Sequence, residues 1–76
     1  MCIIVAKKKG VEMPEKEVLK SCFTSNSDGA GIMWNENGVV NIRKGFMTWE
    51  SFNKFLTELS HRIDLTKHGV VMHFRI

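Results

Sequence analysis

The chain has 76 residues, 43% of them hydrophobic and 25% charged, with a net charge of +3. That balance describes one folded domain with a thin core and excludes a disordered or multidomain protein. No stretch approaches the roughly 20 apolar residues of a membrane span, and the positive charge is scattered except for Lys7-Lys8-Lys9, a solvated turn rather than a nucleic-acid footprint.

Cys2 to Ala6 reads as a short buried strand, with Cys2, Ile4 and Ala6 on one face and Ile3 and Val5 on the other. Lys7 to Gly10 turns the chain. Pro14, followed by Glu15 and Glu17, starts a helix with Pro near its first position, and Val18, Leu19, Cys22 and Phe23 form its apolar stripe. Cys22 is therefore a core residue. Both cysteines read as reduced in a cytoplasmic protein, because the apolar first residues precede the lysines, the reverse of a secretory leader.

Thr24 to Gly31 is a polar, small-residue loop that leads into a strand at Ile32-Met33-Trp34. Asn35-Glu36-Asn37-Gly38 then closes a hairpin onto Val39 to Arg43, since Asn-Gly between apolar runs is a strong turn signal. Thr48 caps a second helix whose apolar face holds Trp49, Phe52, Phe55, Leu56, Leu59 and Ile63, with Glu50 in its first turn and His61 and Arg62 in its last. Gly69 to Ile76 is a final strand: Val71, His73 and Arg75 share one face, and Met72, Phe74 and Ile76 the other. Two cation-capable side chains on one face fit an anion. The expected fold is a single α+β domain over residues 1–76, with about four strands and two helices in the order β-α-β-β-α-β.

Cys2 directly follows the initiator methionine. Removal of Met1 would leave a thiol and a free α-amine on one residue, nucleophile and base together, with an amine pKa of roughly 7.7 to 8 that suits proton transfer near neutrality. Met1-Cys2-Ile3-Ile4, Asp28-Gly29-Ala30-Gly31, Lys44-Gly45-Phe46 and His73-Phe74-Arg75-Ile76, in this order, resemble the N-terminal part of a class II glutamine amidotransferase domain. That family belongs to the N-terminal-nucleophile hydrolases.

The resemblance implies the front half of an αββα sandwich, with glutamine as substrate. It implies Cys2 as the catalytic nucleophile, Arg75 as the group that binds the glutamine α-carboxylate, and His73 as a residue shaping the pocket. Asp28, Gly29 and Gly31 would form a structural turn near the nucleophile, and no cofactor or metal is implied. The family continues its last strand here into Ala-Thr-His-Gly and supplies its oxyanion donors later still. These 76 residues therefore read as an incomplete domain, whose glutaminase activity would need those further segments.

Two alternatives remain open at this stage. One is a non-catalytic interaction or inhibitory module, joined to a second copy or a partner protein through the open edge of the C-terminal strand. The other is a ferredoxin-like RNA-binding module with aromatics on an exposed sheet face, for which Lys44-Gly45-Phe46-Met47 is a partial signature.

Overall fold

Asn37 and Gly38 set the register of the sheet. Both take positive φ, 54° and 75°, the geometry of a tight two-residue turn whose twist matches the strands it joins. The structure is a computed structural model that describes residues 2–76; Met1, and with it the expected release of the Cys2 amine, lies outside the described residues.

From that turn the antiparallel strands β2 (Gly29–Glu36) and β3 (Val39–Phe46) run back to back. The first strand is β1 (Ile3–Lys7) and the last is β4 (Val70–Arg75). The helices are α1 (Lys16–Ser25) and α2 (Trp49–Arg62), and a single 3-10 turn at Leu65–Lys67 precedes β4. The α+β class and the element order are those expected.

All neighbours in the sheet are antiparallel, in the order β1-β4-β2-β3. Each strand-helix-strand unit therefore brackets a strand of the other: β1 and β2 are parallel with β4 between them, and β3 and β4 are parallel with β2 between them. This order corrects two expectations. A ferredoxin-like sheet has its second and fourth strands at the edges, whereas here the edges are β1 and β3. The C-terminal strand is also not an open edge, because β4 is hydrogen-bonded on both sides and offers no free ladder to a partner.

Both helices cover one face of the sheet. Leu19 and Phe23 of α1 and Phe52, Leu56 and Leu59 of α2 pack on Ala30, Ile32 and Trp34 of β2 and on Val70, Met72 and Phe74 of β4. Phe52 is at the centre, completely buried, with the rings of Phe46 and Phe74 each 5.5 Å away. Thr48 caps α2 as expected, its Oγ1 accepting from Ser51 N–H at 3.1 Å.

Local boundaries differ where tertiary contacts overrule sequence cues. Pro14, expected near the first helical position, lies outside α1, whose N-cap is Glu15, and Val18 faces solvent. Lys7 extends β1 instead of turning the chain, and Ile76 lies beyond β4, exposed. The supposed loop at Gly29–Gly31 is the start of β2, because Gly29 pairs with Arg75 of β4 and Ala30 and Gly31 find partners on both neighbouring strands.

At the far end of β3 the register slips by one residue. Gly31 pairs with Lys44 but Ala30 pairs with Phe46, leaving Gly45 unpaired with φ 84°. This is a bulge built on a glycine in the left-handed region. Its effect is to return Phe46 to the helix side, against Phe52 and Phe55.

Candidate active-site face

Among the described residues, the face of the sheet opposite the helices carries no second layer. Strand alternation puts Cys2, Ile4 and Ala6 there from the β1 side, with Val71, His73 and Arg75 from β4. From β2 come Gly29, Gly31 and Met33, and from β3 come Val40, Ile42 and Lys44. Several of these are large and apolar, with Ile4 68%, Ile42 60% and Met33 38% exposed. Water meets an apolar stripe that ends in a cationic corner.

That corner gathers most of the residues singled out from the sequence. Gly29 pairs with Arg75 and Gly31 with His73, and Asp28 N–H donates to the Arg75 carbonyl at 2.8 Å. Asp28, Gly29, Gly31, His73 and Arg75 line one cleft of about 350 Å³. The glycines are its floor. Their role is more specific than a turn near the nucleophile, for a methyl group on Gly31 would stand 3.2 Å from Lys44 Cβ, and one on Gly29 3.5 Å from Met47 Sδ.

Cys2 does not line the cleft itself. It precedes β1, and since Ile3 pairs with Phe74, Cys2 falls beside the Arg75 end of β4, one position beyond the last pair. The residue is exposed. Cys22 packs against the core on the other side of the sheet, so the two thiols are separated by the sheet itself.

Lys44, Gly45 and Met47 also line the cleft; they belong to the amidotransferase-like and RNA-binding-like segments of the sequence, but the amidotransferase resemblance gives none of them a place among its site residues. The signal for Lys44 was present. Counting outward from Asn37-Gly38 with strict pairing puts Gly31 and Lys44 opposite each other at the sixth position on each side. Met47 had no comparable signal, because its approach to Gly29 depends on the bulge at Gly45.

Electrostatically the corner is unbalanced. Among the described residues neither Lys44 nor Arg75 has a carboxylate within ion-pair distance; the ion pair that is present joins Arg62 to Glu36 at 3.1 Å, away from this corner on the helix side. Glu36 also accepts from Trp34 Nε1 at 3.1 Å, and these bonds, the tryptophan's first, hold its carboxyl below the ordinary carboxylate range.

Every phenylalanine and tryptophan packs between the sheet and the helices. The open face therefore carries none of the phenylalanines or tryptophans that the RNA-binding reading expected there; His73 is the ring it presents. A larger cleft of about 520 Å³ lies among Met13, Leu19, Leu56, Ile63 and Leu65 at the helix ends, and none of the residues singled out from the sequence as site residues reaches it. Among the described residues no group of histidine, cysteine and carboxylate side chains is arranged to hold a metal, and no helix is long and apolar enough to cross a membrane.

No family model, curated protein or solved structure matches the chain.

Proposed function

We propose that this chain forms the nucleophile and carboxylate-binding half of a class II glutamine amidotransferase site, working in the cytoplasm, where reducing conditions keep Cys2 a thiol. The observation that carries the reading is that Cys2, His73, Arg75 and the Asp28-Gly29-Ala30-Gly31 segment, far apart in sequence, meet at one corner of one sheet face. A glycine floor beside an arginine suits an extended, unbranched substrate with a carboxylate end. Arg75 grips that carboxylate with two parallel N–H donors, which a lysine cannot present in the same plane.

In this mechanism the α-amine of Cys2, freed by removal of Met1, takes the thiol proton through a water. The thiolate attacks the carbonyl carbon of the glutamine side-chain amide. The C–N bond breaks, the nitrogen leaves as ammonia with the proton returned to it, and the acyl group stays on sulfur as a thioester. Water then cleaves the thioester, releasing glutamate and restoring the thiol. Oxyanion donors raise such rates by roughly 10²- to 10³-fold each; the resemblance assigns none of the family's own donors to these residues.

The exposed apolar stripe of Ile4, Met33, Val40 and Ile42 supports a second reading, in which the same face is a scaffold covered by another protein layer and Cys2 does no chemistry. One measurement separates the two: intact mass before and after incubation with a diazo-ketone analogue of glutamine. Catalysis predicts loss of Met1 and a single adduct on Cys2, abolished in Cys2→Ser. A chain that keeps Met1 and gains no mass overturns the catalytic reading in favour of the scaffold.

A further inference from the structure

Lys44, His73 and Arg75 stand around the glycine floor on two walls. Lys44 rises from β3 on one side of Gly31, and His73 rises from β4 on the other. Two inter-strand spacings separate these walls, about 10 Å between backbones. Arg75 stands on the same wall as His73, two residues further along β4, beside Gly29, a step of about 7 Å along the strand.

A Cβ at position 31 would stand 3.2 Å from Lys44 Cβ and 3.5 Å from the Arg43 carbonyl, and the glycine leaves that space open. The trench thus has a bare backbone floor, one cation on each wall, and Asp28 as the acidic side chain on its rim. Neither Lys44 nor Arg75 has an ion-pair partner among the described residues, and both line the same cleft. An anion in the trench would be met from both sides.

We infer that Lys44 is a second carboxylate-binding residue of the site, taking the substrate's carboxylate from the wall opposite Arg75. This rests on the amidotransferase reading for the identity of the substrate, but the two-walled grip on a carboxylate comes from the trench itself. Lys44 supplies a mobile point charge on a flexible stem, and Arg75 supplies the planar fork that fixes orientation. Together they select a free carboxylate over an amide or ester at that end of the ligand.

The test is a titration of the whole chain with L-glutamine and, separately, with acetate, following the backbone amide signals of Gly29 and Gly31 by NMR. Glutamine is expected to move both signals, with a Kd that rises about ten-fold in Lys44→Met, the loss typical of one charge-assisted hydrogen bond. Lys44→Arg is expected to restore binding, and added salt to weaken it in the wild type more than in Lys44→Met. Lys44 is exposed, so the methionine variant should fold; unchanged core methyl signals would verify this.

Equal affinity of wild type and a folded Lys44→Met overturns the assignment, as does the absence of any shift at Gly29 and Gly31 with either probe. If acetate binds as well as glutamine and both weaken in Lys44→Met, the grip on carboxylate stands while the glutamine reading falls.

Discussion

The Lys7 ammonium at the end of β1 donates hydrogen bonds to the carbonyls of Lys8, at 3.1 Å, and of His68 in the connector before β4. The residue is only 8% exposed, and this burial lowers its pKa below the ordinary 10.5, with the nearby Asp64 carboxylate pulling part of the way back. Between the lowered value and 10.5 the unfolded chain holds a proton that the folded chain has released, so stability rises with pH across that window. Urea unfolding from pH 7 upward should show this rise in the wild type and a flatter profile in Lys7→Met. At neutral pH the same variant should lose about 1 kcal/mol, because two carbonyls lose their donor. A wild-type profile without the rise would mean that the ammonium is better solvated than its burial implies. Nothing in Lys7-Lys8-Lys9 distinguishes the first lysine from the other two; its burial depends on the connector that folds over it from beyond α2.

Among the elements, α2 was the most legible in the sequence and β2 the least. Trp49, Phe52, Phe55, Leu56 and Leu59 recur at helical spacing, and Thr48 is a polar residue placed to meet the free amides of the first turn. Thr48→Ala should cost about 1 kcal/mol, a fall in melting temperature of roughly 4 to 8 °C for a chain this small. No measurable change in thermal melts would mean that Ser51, whose hydroxyl donates to the Thr48 carbonyl at 2.9 Å, holds the turn alone. The start of β2 was hidden for the opposite reason. Gly29-Ala30-Gly31 has the composition of a loop, and becomes strand only because β3 and β4 lie on either side to pair with it. The end of β3 was hidden too, since the bulge at Gly45 breaks the alternation from which strands are read.

For the molecule as a whole, the core is a single layer between the sheet and two helices, and Phe52 is its keystone in contact terms, touching Phe23, Phe46, Trp49 and Phe74. Phe52→Ala should cost about 3 to 5 kcal/mol, against a total of about 4 to 11 kcal/mol for a domain of this length, so the variant should be partly unfolded at 37 °C by circular dichroism. A melting curve close to wild type would mean that the ring layer can collapse around the cavity. The site was legible in part. Hydrophobic periodicity, the Asn-Gly turn and the helix cap are properties of neighbouring residues, so the sequence by itself determined the element types, their order and the face of β4 shared by His73 and Arg75. Strand order is not a local property. Only the tertiary structure decided that β4 lies between β1 and β2, because that choice rests on pairings between residues at opposite ends of the chain, such as Ile3 with Phe74. The same choice turned the C-terminal strand from an open edge into the centre of the sheet. It also placed Cys2 beside Arg75, and set Lys44 across a glycine floor from His73.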